Sequence, residues 1–256
     1  MRIFFIGDIV GEAGVSVMKK NLGPLLRQYP SDIVIANGEN AAEHNGITKD
    51  IAEELHYAGV DVITLGNHAF RRQSVFPFLD DCPYIVRPVN YSADAPGHGK
   101  AEVKTPAGNI LVVSIAGRVS MEPADDPFRA ADAILQKTDA DFVVFDLHAE
   151  ATSEKKAFGY YVDQHQKPAA VFGTHTHVQT ADERFLPNGT AYLTDVGMTG
   201  ADDSVLGAKK ELAIARFLKG MYLPLEQSSS DPVINAVYAD TERKIIERIN
   251  HQPKGI

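Results

Sequence analysis

Two histidines one residue apart, His175 and His177, form the first pattern in this sequence that indicates chemistry. They follow the short apolar run 171–173, where a buried strand is predicted to end. Side chains at positions i and i+2 of an extended chain point to the same side, and neutral imidazole is the commonest metal-ligating side chain. The pair therefore predicts a metal site, although a surface loop with two histidines fits these residues equally well.

The same pattern, an apolar run followed by polar residues, recurs along the chain. Ligands of open α/β sheets bind at the carboxyl ends of the strands, so these polar residues are predicted to meet in one pocket. The mixture of carboxylates, imidazoles and amide oxygens suits manganese, iron or zinc, and the absence of thiolates argues against a structural zinc site. The candidates are Asp8, Glu39, Asn40, Asn67, His68, His148, His175 and His177.

This set is larger than one ion needs. A carboxylate at Glu39 could bridge two divalent ions about 3.5–4 Å apart, the arrangement that activates water and holds both ends of an in-line displacement. Hydrolysis of a phosphate ester is the chemistry that such a pair of ions performs. The sequence thus indicates a dinuclear site.

Strands that alternate with helices must position these residues. This alternation predicts an α/β fold with a largely parallel central sheet and helices on its faces. The predicted strands are 1–6, 33–36, 60–65, 141–147, 171–173, 191–196 and 233–238, with a hairpin of 102–105 and 110–115. The predicted helices are 15–28, 48–59 and 152–166.

Two other stretches carry expectations. The segments 87–90 and 94–99 are rich in proline and glycine and predict a long surface excursion, and the position of 70–105 suggests a part in substrate selectivity. The stripe formed by Leu212, Phe217, Leu218 and Met221 predicts a helix core or a subunit contact.

Length and composition set broad limits. A chain of 256 residues with 44% hydrophobic residues fits a single α/β domain spanning 1–256. A net charge of −9 without a basic run argues against binding long nucleic acids. The single cysteine, Cys82, excludes an intrachain disulfide and fits a cytoplasmic protein. No run approaches the roughly 20 apolar residues of a membrane span.

The polar clusters, taken in order, resemble the sequence blocks of the calcineurin-like metallophosphoesterases. The resemblance is closest to a bacterial subfamily, the YmdB type, and covers nearly the whole chain. Its features include Gly-Asp-Ile-Val-Gly at the start, Asn-Gly-Glu-Asn in the second block, and Asp195-Val196-Gly197-Met198-Thr199-Gly200. The fold implied by this resemblance is a four-layer α/β/β/α sandwich. The blocks are Gly7-Asp8, Gly38-Glu39-Asn40, Gly66-Asn67-His68, His148 and Gly173-Thr174-His175-Thr176-His177.

The sequence departs from the wider superfamily in two places. Asp8 lacks the histidine that usually follows two residues later, and Glu39 stands where aspartate is usual. Asn40 is the candidate to replace the missing histidine. The resemblance then implies one ion held by Asp8, Glu39, Asn40 and His177, and a second held by Glu39, Asn67, His148 and His175.

The resemblance also implies an activity. The expected reaction is hydrolysis of a phosphodiester, with 2′,3′-cyclic nucleotides as substrates, iron or manganese as metals, and attack by a metal-bridging hydroxide. His68 is expected to be catalytic, either orienting the phosphate or protonating the leaving alkoxide. The alternative for His68 is a hydrogen bond that only holds its loop.

Two other functions fit the same residues. A metal-dependent amidohydrolase on a (β/α)₈ barrel also places histidines and carboxylates at strand ends. That class usually has its two-histidine motif early, whereas here it comes late. A regulatory protein that binds a nucleotide at the metal site and turns over slowly is the second alternative. A homo-oligomer is compatible with each of these functions.

Overall fold

Alternating side chains of the first strand, β1 (Arg2–Ile6), show how the chain builds two separate cores. In the computed structural model, which describes residues 1–253, Phe4 and Ile6 pack among helices, whereas Ile3 and Phe5 pack between two sheets. Successive side chains of a strand point to opposite faces. A strand covered on both faces is therefore apolar throughout, as residues 3–6 are.

The elements within residues 1–253 divide between two sheets, six α-helices and a short 3₁₀-helix at Gln73–Val75. In spatial order, the first sheet contains β2 (Asp8–Ile9), β12 (Met198–Ala201), β13 (Pro232–Asp240), β1, β3 (Ile33–Asn37), β4 (Val62–Thr64) and β5 (Ile85–Val86), with β14 (Ile245–His251) also paired to β13. The second contains β10 (Arg184–Phe185), β11 (Ala191–Leu193), β9 (Pro168–Thr174), β8 (Phe142–His148), β7 (Gly108–Ala116) and β6 (Lys100–Thr105). The helices are α1 (Gly11–Gln28), α2 (Lys49–Tyr57), α3 (Phe76–Asp81), α4 (Pro127–Lys137), α5 (Thr152–Val162) and α6 (Lys210–Lys219).

The helices cover the outer faces of the two sheets. Side chains of α1, α2 and α3 share one core with the outer face of the first sheet. Side chains of α4 and α5 share another core with the outer face of the second sheet. The layer order confirms the predicted α/β/β/α sandwich, and two separate sheets exclude the (β/α)₈ barrel of the amidohydrolase alternative.

The inner face of β8 shows where the core between the sheets gives way to a polar site. Phe142 and Val144 lie in that core, so Asp146 and His148 share their face by the two-residue alternation. β8 runs parallel to β7 and β9, which brings three carboxyl ends to one edge. The polar residues thus gather where the inner core ends.

Several predicted boundaries were wrong. Helix α1 begins at Gly11 rather than at 15, so Gly14 is a helical residue and not part of a turn; a Cβ at Gly14 would overlap the carbonyl oxygen of Thr199. Helix α5 ends at Val162 rather than at 166. The strand predicted at 191–196 ends at Leu193, and the chain then crosses to the other sheet and forms β12.

Two interpretations of side-chain environment were also wrong. Arg87 and Asn90 do not belong to a surface excursion: both are buried, and the Arg87 guanidinium donates to the Pro88 carbonyl at 2.9 Å. On α6, Phe217 and Leu218 do not form a helix core, because they are 82% and 83% exposed. Between residues 1 and 253 no helix has both the length and the apolar character that crossing a membrane requires.

Candidate metal centre

Every candidate residue from the sequence reaches the same edge of the two sheets. Asp8 follows β1 after a one-residue gap, and the pair Glu39 and Asn40 follows β3. The segment after β4 contributes Asn67 and His68. From the second sheet, His148 ends β8, and His175 and His177 follow β9. The structure therefore brings together residues that are up to 169 positions apart in the sequence.

One group within this cluster centres on His148. A single ligand-type atom from each of Glu39, His148 and His175 lies within 4.8 Å of the other two. His148 Nε2 is 3.1 Å from Glu39 Oε1 and 3.1 Å from His175 Nδ1. Asn67 Oδ1 lies 2.9 Å from the same nitrogen. These four side chains are the set that the resemblance assigned to one ion.

A second group centres on Asp8, which is fully buried. Its Oδ2 accepts a hydrogen bond from the His175 backbone N–H at 3.1 Å, whereas its Oδ1 has no hydrogen-bond partner and lies 3.8 Å from His177 Nε2. A buried carboxylate oxygen without a partner is costly, and a cation is the group that compensates for it. The residues present therefore fit a divalent metal.

Asn40 adjoins both groups. Its Nδ2 is 3.2 Å from His177 Nε2, and its Oδ1 is 2.8 Å from His68 Nδ1. Amide oxygens, and not amide nitrogens, bind divalent cations. A ligand role for Asn40 beside His177 therefore requires the amide to turn over.

The ring of His68 is held on its Nδ1 side. Its backbone N–H donates to Glu39 Oε2 at 3.0 Å, and its Nδ1 lies 3.1 Å from Glu39 Oε1 in addition to its contact with Asn40. On the other side of the ring, Nε2 is 3.3 Å from the Asn45 side-chain nitrogen. His68 lines a cleft of about 790 Å³ that the cluster opens onto. The ring is therefore oriented by residues of the cluster and remains accessible from the cleft.

Burial and neighbouring charges shift the pKa values within the cluster in opposite directions. Burial raises the pKa of Asp8, against the pull of His177. Burial would also raise the pKa of Glu39, but His148 and His68 outweigh it and hold that pKa well below its ordinary value. Burial would lower the pKa of His148, but Glu39 and Asp8 raise it to about 9. Burial and the neighbouring His148 lower the pKa of His175 to about 4. A metal ligand must be deprotonated, so binding at His148 displaces a proton.

The ring of His148 is fixed by a chain of hydrogen bonds behind it. The Thr174 hydroxyl donates to Asp146 Oδ1 at 2.7 Å and lies 2.8 Å from His148 Nδ1, so Nδ1 is the donor to Thr174. Asn37 donates to the other Asp146 oxygen at 3.0 Å, and burial raises the pKa of Asp146 to about 6. This chain leaves His148 Nε2 facing the cluster, which is how ligating histidines are usually oriented.

The two-histidine motif is not extended, and this part of the prediction was wrong. β9 ends at Thr174, and His175 and His177 have φ of 99° and 63°. Such conformations cost a residue other than glycine about 1–3 kcal/mol. As a result the two rings do not act as a parallel pair: His175 approaches His148, and His177 approaches Asp8.

The strained motif is tied down through Thr176. The Asp195 carboxylate accepts from the Thr176 backbone N–H at 3.1 Å and from its hydroxyl at 2.7 Å. The buried Lys155 ammonium lies 2.6 Å from the same Asp195 oxygen and donates to the Thr174 carbonyl at 2.7 Å. Asp195 and Lys155 therefore hold the backbone that positions both histidines.

Sequence reasoning missed two residues of the site. Glu150 Oε2 lies 3.1 Å from His175 Nε2, and its position two residues after His148 was the available signal. Asn45, beside His68, has φ of 69°. Its signal was the Asn-Gly turn at 45–46, because asparagine tolerates the left-handed conformation.

Comparison with known proteins extends the resemblance over nearly the whole chain. The sequence profile of a family described as YmdB-like protein matches residues 4–251. A 2′,3′-cyclic-nucleotide 2′-phosphodiesterase from Bacillus subtilis (strain 168) is 42% identical over 94% of this chain and 92% of its own length. The family match includes every segment that contributes to the cluster.

Solved structures show the same fold. A crystal structure described as a novel phosphatase from Mycoplasma pneumoniae superposes with a TM-score of 0.89 at 33% identity, covering 99% of this chain and 95% of that chain. A protein of Thermus thermophilus superposes with a TM-score of 0.91 at 40% identity, covering 98% and 99% of the two chains. The sandwich is therefore shared along its full length with these two proteins.

Proposed function

This chain belongs to the YmdB-like family, and on that premise we propose that it is a metal-dependent phosphodiesterase that hydrolyses 2′,3′-cyclic nucleotides. The observation that carries the proposal is the buried cluster of carboxylates and imidazoles at the strand ends, with one Asp8 oxygen unpaired. The similarity to the Bacillus subtilis phosphodiesterase supports this choice of substrate.

We propose two metal sites that share Glu39. Divalent iron or manganese, or zinc, would supply Lewis acids that activate water and neutralise charge on the phosphate oxygens. The unpaired Asp8 oxygen supports the first site, and the short distances among Glu39, His148 and His175 support the second. The first set is Asp8, Glu39, Asn40 and His177, and the second is Glu39, Asn67, His148 and His175.

The chain's own residues orient the substrate and move the proton. Hydrolysis forms a bond from phosphorus to the oxygen of a water that gives up one proton to the solvent, and breaks a bond from phosphorus to a ribose oxygen. The departing ribose alkoxide takes a proton, for which His68 is the proposed donor. Glu39 holds His68 through its Nδ1, and its Nε2, which lies beside Asn45 on the cleft side of the ring, is the nitrogen that serves the substrate.

Three broader expectations stay predictions. The proposed cytoplasmic location is supported by Cys82, the single cysteine, which is buried as a free thiol. A single domain over 1–256 agrees with a core shared by the two sheets. A homo-oligomer stays a prediction as well.

The test is hydrolysis of 2′,3′-cyclic AMP by protein stripped with a chelator and reloaded with manganese or iron. We expect turnover only after reloading, and its loss in Asp8→Asn and Glu39→Gln. Asp163→Asn is the matched control, because Asp163 is a buried carboxylate that bonds backbone N–H groups at positions 188 and 190. It should keep full activity.

Three results would argue against the proposal. Equal turnover by the stripped protein would exclude metal dependence. Failure to retain any metal would exclude the two sites. Tight binding of the nucleotide without turnover in the reloaded protein would instead favour the regulatory alternative.

A further inference from the structure

The metal cluster forms only one side of its cleft. The cavity of about 790 Å³ is lined by His68, His175 and His177 and, from a different part of the chain, by Phe217 and Tyr222. Sites for small organic ligands usually enclose about 300–1,000 Å³. The cavity is therefore large enough for a whole nucleotide.

The aromatic side chains on the second side are not part of any core. Phe217 is 82% exposed and Tyr222 is 74% exposed. The Arg216 guanidinium carbon lies 5.3 Å from the centre of the Tyr222 ring, a cation–π contact that favours a fixed ring. One exposed apolar residue needs no explanation, but two aromatic rings on the wall of a metal cleft provide flat surfaces for a planar ligand.

We propose that Phe217 and Tyr222 form the subsite for the nucleobase of the substrate. The inference rests on the proposed function, which places the phosphate at the metal cluster. The same cavity then continues from the phosphate site to the two rings, where the base attached to the ribose can stack. Stacking accepts any base, because every base has a π-face. The subsite therefore selects nucleotides over simpler phosphodiesters without selecting one base.

This assignment replaces the expected role of residues 70–105. Among the described residues that line the cleft, none falls within that segment. Phe70 and Tyr91 line a separate cleft. We therefore assign substrate selection to α6 and the loop that follows it.

The experiment compares two substrates with the same reacting group, 2′,3′-cyclic AMP and methyl ribofuranoside 2′,3′-cyclic phosphate, which lacks a base. Phe217→Ala should lower kcat/KM about tenfold for the nucleotide and leave it unchanged for the base-free compound. Phe217→Trp should retain activity on both substrates. Leu218→Ala is the matched control, since Leu218 is 83% exposed but does not line the cleft, and it should change neither value.

A binding measurement separates this inference from the proposed function. Calorimetric titration of the manganese-loaded protein with adenosine 3′-phosphate should show about tenfold weaker binding by Phe217→Ala, whether or not the parent hydrolyses anything. Hydrolysis of neither substrate by the parent would overturn the proposed function alone. An unchanged affinity for adenosine 3′-phosphate, or an equal loss of kcat/KM on both substrates, would overturn the subsite.

A measurement of the oligomeric state could also contradict the subsite. If Phe217→Ala and Leu218→Ala both reduce activity and both lower the sedimentation mass, the face is a contact between copies of the chain. That result would also overturn the subsite.

Discussion

At the scale of single residues, the cluster depends on two fully buried carboxylates, Asp8 and Glu39. The sequence predicted both, because each follows an apolar run that ends a strand. It did not predict their different environments: Glu39 lies against His148 and His68, while one Asp8 oxygen has no partner. Such differences depend on residues from distant strands, which a local pattern does not contain.

The proton-donor role of His68 has a test that depends on the leaving group. His68→Ala should lower kcat on 2′,3′-cyclic AMP by about 10²–10⁴-fold, because a ribose alkoxide needs a proton as it leaves. With methyl 4-nitrophenyl phosphate the loss should be much smaller, since nitrophenolate leaves without one. Metal content, measured by elemental analysis, should not change. Equal losses on both substrates would show that His68 only orients the phosphate or holds the loop.

Gly66 is the position where one added methyl group should disrupt the site. A Cβ at Gly66 would overlap His148 and Glu39 Oε2. Gly66→Ala should therefore abolish activity and lower metal content. Gly23→Ala is the control: it lies within α1, and its nearest neighbour would be 3.8 Å away at Arg27. That change should keep activity and raise the free energy of unfolding by about 0.5–1 kcal/mol, as urea titration would show. Retained metal in Gly66→Ala would contradict this account.

At the scale of elements, the loop after β9 is held by a buried ion pair rather than by its own hydrogen bonds. Lys155, from α5, and Asp195, which follows β11, converge beneath Thr176. The resemblance had marked Asp195 without giving it a role. Its contact with a helix residue 40 positions away is visible only in the folded chain.

Removing the lysine of this pair should destabilise the protein strongly. Lys155→Met leaves the Asp195 carboxylate buried and unpaired, at a cost of about 3–5 kcal/mol in the free energy of unfolding. Lys209→Met removes a pair of the same 2.6 Å length that is exposed to solvent, and it should cost at most about 1 kcal/mol. Adding Asp195→Asn to Lys155→Met should recover part of the loss. Equal effects of the two lysine variants in urea titrations would contradict the assignment.

An element was predictable from the sequence where residues close together in the chain determine it. β1, β3, β8 and β9 each contain an apolar run, so the existence of these strands and their parallel arrangement were predictable. The change of sheet between β11 and β12 was not, because residues 191–201 form one mostly apolar stretch whose division depends on the partner strands. The exposure of Phe217 and Leu218 was not predictable either, because apolar residues at helical spacing usually face a core.

At the scale of the whole molecule, an ion pair near the surface links β1 to the segment before β3. Asp32 accepts from the Arg2 guanidinium at 2.6 Å and from its backbone N–H at 2.7 Å, and the hydrogen bond to Arg2 lowers the pKa of Asp32. A carboxyl group whose pKa is lower in the folded state stabilises that state above its unfolded pKa, near 3.8. This contribution is lost as pH falls through the folded-state pKa.

The difference in stability between the parent and Asp32→Asn should therefore vanish at acid pH. We expect at most about 1 kcal/mol above pH 5, because the Arg2 side chain is 42% exposed and solvent screens the pair. The difference should shrink on acidification and disappear once the pH is well below the folded-state pKa of Asp32, where its carboxyl group is protonated in both states. If the difference in stability instead grows on acidification, the pKa of Asp32 is not lowered by folding.

The neighbours of β1 also affect how the protein folds during its synthesis. β1 is made before both of its neighbours, β3, which follows it closely, and β13, which begins at Pro232. At ribosomal rates of about 5–20 residues per second, roughly 10–50 s separate β1 from its second neighbour. Throughout that interval the nascent chain presents an open, apolar strand edge of the kind that templates aggregation. Until β13 is made, this edge of β1 is therefore one that chaperones would need to protect.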